Sequence, residues 1–460
     1  MSSEAARSEP SDGRLDALIE EQEAIFLKRQ PESARLLERA RESLAGGVTS
    51  SWQIARPQAV WISHGAGSKV FDADGNEYVD LHGGYGVMAV GHSHPRIVQA
   101  VSRRISRGSH FAQPTQDSIA VAEELARRFG LPLWRFSNSG TEATMDAVHL
   151  MRAATKRDKI VKIEGTYHGH HDSVMVSVAN DASEIGDDPD YPLSAPSGTG
   201  IPSAMTNLVV VIEYNDIESL SRAFARHTGE IAGVIMEPIM MNSGIIPPRD
   251  GYLEQVKSVV HENGALLTFD EVKTGLTVSP GGATSYLGVS PDIICLAKAL
   301  GGGLPCGALG GTAEVMNLIV EGEYEQVGTF NGNPLTMAAA LATLTEVLTD
   351  DAYETVSSLR TQMVQGCEEA IREFDLAAHV VAIGAKGCIT FSPAPVHNYR
   401  EFLQIDDSYS HCHWLFQHNG GVFLPPWGKA EQWLLSPQHS ADDAQRFIDN
   451  FRTFAGALRG

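Results

Sequence analysis

Two residues stand out for the chemistry they can do together. The segment LLTFDE ends in two carboxylates, Asp270 and Glu271, behind the apolar Leu266, Leu267 and Phe269. Gly264 and the pair Thr274-Gly275 bracket it, which predicts a short buried strand. Twenty-eight positions after Asp270, Lys298 sits in IICLAKALGGG, an apolar run with one cation followed by Gly301, Gly302 and Gly303. Burial disfavours the charged form of a lysine and makes its amine a better nucleophile toward a carbonyl. A buried Asp beside a buried Lys also fits a structural ion pair, so these two residues alone leave both readings open.

Other segments bear on the choice. Ser139-Gly140-Thr141-Glu142-Ala143 follows the strand-like LWRF and opens a helix-like run, ATMDAVHLMRAA. Small residues at a strand-to-helix turn offer backbone N–H groups and hydroxyls to a phosphate. Tyr167-His168-Gly169 follows another strand-like stretch, KIVKIEG, and can set an aromatic over a flat ring. A phosphate cradle, a stacking aromatic, a buried Asp and a buried Lys are what pyridoxal phosphate requires of a protein.

The segments NSGTEATMDA, EGTYHGHHD, TFDEVKTG, CLAKALGGGLPCGALGG and GTFNGNP resemble the class III aminotransferases of the type I pyridoxal-phosphate fold. Within that family the pattern is most similar to glutamate-1-semialdehyde aminomutase, with the β-amino-acid aminotransferases close by. The resemblance runs from about Leu44 to the C-terminus. It implies an α/β fold, with a mostly parallel seven-stranded sheet in a large domain and a small α+β domain built from both chain ends. It implies Lys298 as the Schiff-base lysine, Asp270 as partner of the cofactor's ring nitrogen, and Tyr167 as the stacking aromatic. Val272 would pack on the opposite ring face. Ser139, Gly140 and Thr141 would hold the phosphate, and Asn215 would stand on the 3-hydroxyl side. Thr329, in GTFNGNP, would reach the phosphate of a neighbouring subunit, which implies a homodimer with shared active sites.

The substrate side departs from the aminomutases. Where they carry a segment like NSPVR, whose arginine helps hold the substrate carboxylate, this chain reads Thr49-Ser50-Ser51-Trp52-Gln53. Gln53 stands at the arginine position, and a neutral amide does not replace a bidentate guanidinium. Trp52 would narrow the pocket, Arg56 is the nearest cation to take a carboxylate, and Glu431 resembles the aminomutase carboxylate near the substrate. The expectation is an aminotransferase for an amine or β-amino acid. An aminomutase of the glutamate-1-semialdehyde type and an amino-acid racemase or epimerase are the alternatives.

The elements that must position these residues follow from local pattern. Residues 1–12 read as a disordered tail. Leu15–Leu44 reads as two helices divided at Pro31, and Ala59–Asp80 as an antiparallel meander turning at Asp74-Gly75-Asn76. Helices are predicted near Pro95–Arg107 and over Gln116–Phe129. Beyond Leu133, short apolar strands alternate with helices: Arg135–Ser137, Ile160–Glu164, Leu208–Glu213, Gly233–Glu237, Leu266–Asp270, Ile293–Leu296 and Gly307–Gly311. That alternation predicts a parallel sheet covered on both faces, with ligands at the carboxyl ends of its strands. The Gly/Pro/Ser/Asp-rich stretch between Val178 and Asn207 is a lid or a surface loop. A long helical run after Asn333-Pro334 leads to strands near Cys388–Phe391 and Val422–Leu424 and a final helix from about Ala441. The expected division is residues 13–80 and 346–460 as the two parts of a small domain, and 81–345 as the large cofactor-binding domain.

A net charge of −22 argues against nucleic acid or anionic membrane as partners. Five scattered cysteines without paired spacing fit reduced thiols, and the polar N-terminus shows no export signal. A cytoplasmic enzyme is expected. The cluster His168, His170, His171 and Asp172 lacks a zinc-type spacing, so no metal is expected there. His92 and His94 read as structural, and Gly301–Gly303 lacks the Lys-Ser/Thr ending of a nucleotide loop.

Overall fold

The computed structural model describes residues 12–426 and 428–459. The tail expected over residues 1–12 lies outside them, apart from Asp12, with which the first helix begins. That helix, Asp12–Arg29, gives way at Gln30 to a second, Pro31–Ala40. Proline suits a helix start because its missing N–H has no partner to lose there.

Seven strands form one sheet. In spatial order they are Leu133–Ser137, Gly307–Gly311, Ile293–Leu296, Leu266–Asp270, Ile231–Met236, Lys159–Ile163 and Val209–Ile212. Gly307–Gly311 runs antiparallel to both its neighbours and every other pairing is parallel. The central strands are buried almost throughout; all six residues of Ile231–Met236 are, and all of Leu266–Asp270 but Leu266. Such a strand needs apolar side chains on both faces, hence the unbroken IAGVIM and IICL in place of an alternating pattern.

A second sheet joins the meander Ile62–Ala66, Lys69–Asp72 and Glu77–Asp80 to Val422–Phe423, which lies parallel to Glu77–Asp80. Asp72 closes the meander's turn, its Oδ1 accepting from the amides of Asp74 and Asn76. A third sheet holds His379–Ile383, Lys386–Thr390 and Trp433–Leu434. Helix Asp350–Glu373 packs on Ala441–Arg459, and the first helix packs on Asp407–Asn419, so the two chain ends share one apolar layer. The helix after Asn333 ends at Ala342 and passes into a π-helical turn, Thr343–Val347.

The stretch 178–207 is a tethered wall. Ile185 is buried in the core, Tyr399 Oη donates to Asn180 O, and Arg400 donates to the carbonyls of Ile185 and Gly186. Arg400 also makes two 3.0 Å bonds to the carboxylate of Glu164, which is fully enclosed at the end of its strand. Removing one partner of such a pair strands a buried charge and costs about 3 kcal/mol or more. Arg400→Met should therefore lower the urea-unfolding stability by about 3 kcal/mol and speed proteolytic cleavage within residues 178–207. An unchanged unfolding midpoint would show that the pair is not what holds this wall.

Candidate active site

Five strand ends converge on one cavity of about 380 Å³. Asn138, Ser139, Gly140 and Thr141 follow Leu133–Ser137. Tyr167, His168 and Gly169 follow Lys159–Ile163, and Glu237 follows Ile231–Met236. Asp270, Val272 and Lys273 close the central strand, and Lys298 follows Ile293–Leu296. The antiparallel strand contributes from its other end, through Leu304, Pro305 and Cys306. The volume falls in the range of small-molecule sites.

The phosphate end is built by the helix Gly140–Thr155. Ser139 caps it, its Oγ accepting from Glu142 N at 3.2 Å. The amides of Gly140 and Thr141 have no partner among the described residues, as first-turn amides do not. They point the positive end of a helix at the cavity, which suits an anion. Gly140 is required by close approach: a Cβ there would lie 3.0 Å from both Val272 methyls. Thr141 Oγ1 accepts from His170 N at 3.0 Å and so fastens the 167–170 turn to the same helix.

At the centre, Asp270 Oδ2 meets His168 Nδ1 at 2.8 Å and Oδ1 accepts from Val272 N at 2.9 Å. Both side chains of the Asp–His pair are enclosed, and His168 Nε2 has no partner among the described residues. Tyr167 and Val272 both line the cavity. Burial, and then the charge of Asp270, raise the Tyr167 phenol above its ordinary range, which keeps it protonated. Glu237 sits 3 % exposed and accepts from Met241 N, Asn242 Nδ2 and Tyr167 N; burial raises its carboxyl.

Lys298 reaches the cavity from a left-handed backbone position at φ 45°. Burial, and then the adjacent Lys273 ammonium, lower its amine to about 8; Asp270, Glu431 and Glu237 oppose that shift. Lys273 is itself held, donating to Glu431 at 3.0 and 3.2 Å and to Met241 O at 2.8 Å. Lys386 is the third lysine of this cluster. It is 2 % exposed, and burial followed by Lys273 lowers it to about 7. Sequence reasoning missed Lys273, Lys386, Glu237 and Asn242. DEVKTG carries Lys273 in plain view, but nothing local to Lys386 signals its place.

Beyond Tyr167 a second compartment of about 490 Å³ opens. Trp52, Tyr167, Met175, Asn242 and Glu431 line it, with Val178 and Ala179 from the wall described above. Trp52 packs edge-on against Tyr85 and Tyr167, with ring centroids 5.1 and 5.4 Å away. Trp52 and Glu431, both expected on the substrate side, line this one compartment.

Three expectations need correction. Asn215 does not line the cavity. It follows the edge strand Val209–Ile212, too far from the centre. It clamps a loop instead, donating to Pro247 O and His397 O and accepting from Arg249 N. Gln53 is exposed and folds back on its own turn, accepting from the amide and hydroxyl of Thr49. Arg56 points outward: its side chain is 78 % exposed and pairs with Glu23 at 3.3 Å. The turn at Ser51–Gln53 sends Trp52 inward, and Ser51 lines the same compartment. Thr329, expected at a neighbouring subunit's site, lies in a groove with His110, Phe111 and Asn331, and Asn331 accepts from the cavity residue Asn138 at 3.0 Å. Of the remaining histidines, His92 pairs with Asp80, His94 caps the helix Pro95–Ile105, and His171 bonds Thr144.

This donor set fits pyridoxal phosphate: free helix amides for the phosphate, an oriented Asp at the centre, and a lysine with lowered proton affinity opposite. The sequence profile described as "Aminotransferase class-III" matches residues 53–437. The glutamate-1-semialdehyde 2,1-aminomutase 2 of Brevibacillus brevis is 35 % identical over 91 % of this chain and 96 % of that protein. An omega-transaminase structure from Sphaerobacter thermophilus is 34 % identical with a TM-score of 0.88, covering 93 % of this chain and 98 % of that one. A glutamate-1-semialdehyde-aminomutase structure from Pseudomonas aeruginosa PAO1 is 28 % identical with a TM-score of 0.90, covering 98 % and 100 %, and a lysine-to-alanine form of it is in complex with PMP.

The lowered Lys298 amine sets a pH dependence. Below about 8 it holds its proton and is not nucleophilic; above, it is neutral. The rate at which cofactor-free protein captures pyridoxal phosphate should rise with pH and level off near 8, where an ordinary lysine would keep rising beyond pH 10. In Lys273→Met the plateau should move to higher pH, since a neighbouring positive charge is gone. A plateau unmoved by that change would remove Lys273 as a cause.

Proposed function

The chain belongs to the class III aminotransferases and uses pyridoxal phosphate. On that premise we propose that it shifts an amino group within one substrate, as an aminomutase of the glutamate-1-semialdehyde type. The observation that carries this reading is Glu431. It lines the compartment beside the cofactor cavity, at the position that resembles the aminomutase carboxylate, and is held there by Lys273. Similarity to aminomutases along nearly the whole chain supports it.

When bound, pyridoxal phosphate supplies an aldehyde that captures amino groups and a ring that accepts the electron pair left on carbon when a proton departs. Lys298 moves that proton. With its affinity lowered, its amine would take a proton from one of the two carbons flanking the migrating nitrogen and return it to the carbon on the nitrogen's other side. Asp270, oriented by His168 and by the Val272 amide, is the carboxylate available to hold a proton on the ring nitrogen. Gly140, Thr141 and Ser139 bind the phosphate and fix the ring's position. Trp52, Tyr85 and Tyr167 pack edge-on into an aromatic wall on the substrate side of the cavity.

A homodimer is part of the proposal. Val327 and Phe330, beside Thr329, are 80 % and 59 % exposed, and Phe111 and Ile119 are exposed around the same groove. A second chain seated there would cover this apolar surface and bring Thr329 to its neighbour's site. We place the enzyme in the cytoplasm. Among the described residues, no helix is long and apolar enough to cross a membrane.

A second reading, amino transfer between two substrates, is favoured by Gln53, which leaves no arginine at the position that resembles the aminomutase carboxylate holder. One experiment separates the two. The pyridoxamine form of the enzyme is given glutamate 1-semialdehyde with no added acceptor. The proposal expects catalytic formation of the isomer with the amino group moved to the terminal carbon. Absence of isomer, with turnover only when a separate amine and oxo acid are both supplied, would establish the second reading.

A further inference from the structure

One lysine beside the cavity has no hydrogen-bonding partner of its own among the described residues. Lys273 is neutralised by Glu431, and Lys298 is the residue that takes the cofactor. Lys386 is left over. Its side chain is buried, yet its ammonium makes no hydrogen bond and no ion pair with any described residue. Lys162 shows what this chain does with a purely structural buried lysine: its Nζ donates to the carbonyls of Ile163, Thr166 and Val176. No such set surrounds Lys386.

The fold holds Lys386 in this place. Its strand, Lys386–Thr390, is pinned between His379–Ile383 and Trp433–Leu434, and its backbone pairs with Leu434. Its ammonium lies 3.1 Å from where a Cβ on Gly86 would stand, and Lys298 Cδ lies 3.6 Å from the same point. Gly86 precedes the cavity residue Val87. The missing side chain at Gly86 therefore leaves the ammonium and the Lys298 stem facing each other across open space. The carboxylates that act on it are already engaged: Glu431 by Lys273, and Glu237 by two backbone amides and Asn242. The other cation near the substrate side, Arg56, is turned to Glu23.

We infer that Lys386 is the carboxylate-binding position of the substrate site. The inference rests on the reading of this cavity as one for an amino-group substrate and adds that the substrate is an anion, held by a lysine from the third sheet. A lysine suits this role: its ammonium sits on a flexible stem with three donors, and rotation of its last bonds carries it past Gly86 into the cavity.

The test uses holoenzyme and a ligand that cannot react. Propanoate is titrated against its neutral analogue, propanamide, and binding is read from the change in the visible cofactor band. In the wild type, propanoate should bind at least about tenfold more tightly than propanamide, the size of a charge-assisted hydrogen bond. Equal affinity for the two would overturn the inference without any variant. Lys386→Met should lose that preference, whereas Lys386→Arg should keep it; retention in Lys386→Met would also overturn it. In turnover, Lys386→Met should raise KM for a carboxylate-bearing substrate about tenfold with little change in kcat, because uniform binding is lost. Binding is measured without turnover, so failure to isomerise the semialdehyde leaves this test standing. Full isomerase activity in Lys386→Met would sink the inference and spare the function.

Discussion

The parallel register between Asp270 and Cys295 governs the rest of the site. These two residues are opposite one another on adjacent central strands, so the chain leaves the sheet at the same height on both. Three residues beyond Cys295, Lys298 turns back through a left-handed backbone position and enters the cavity from the side. Asp270 needs no turn, because it is the last residue of its strand. A slip of one residue in either strand would point the Asp or the Lys to the other face of the sheet. Both strands are buried, LLTFD from Leu267 onward and IICL throughout, so a slip would also displace close-packed side chains.

Charge is the second constraint. Within one enclosed region lie Asp270, Glu237, Glu431, Lys273, Lys298 and Lys386, and each buried charge is tolerable only with a partner or with its proton moved. Asp270 has His168, Glu431 has Lys273, and Glu237 has amide donors with its carboxyl raised. The two lysines without a carboxylate of their own have their ammonium forms disfavoured. That is the state a covalent cofactor needs at Lys298, and it follows from burial and from like charge nearby, with no dedicated base.

The sequence made the cofactor end legible because that end is local. A strand, a tight turn and a helix start leave marks over a few residues, and the expected strand ends match the observed ones to within about two positions. Asp270, Lys298, Ser139, Gly140, Thr141, Tyr167 and Val272 therefore line one cavity as expected. The substrate end is assembled from distant segments and has no such mark. Asn215 follows a strand as the others do, but that strand is the sheet's edge, and strand order is a long-range property. Arg56 and Gln53 are three residues apart, near the pocket in sequence terms. One is drawn outward by Glu23 and the other back onto its own turn at Thr49, neither of which the local pattern reveals. Lys386 stands in the short run KGCIT, and only its pairing with Leu434 and the gap at Gly86 bring it to Lys298. Arg400 and Glu164 are in the same position: two charges 236 residues apart that hold the compartment wall.

Lys273 and Lys298 line this cavity and Lys386 lies beside Gly86, so three lysines compete for the cofactor aldehyde. Reducing the holoenzyme with borohydride and mapping its peptides by mass spectrometry shows directly which of them holds it. The account predicts pyridoxyl phosphate on Lys298 alone. Label on Lys273 or Lys386, or no covalent label at all, would contradict it.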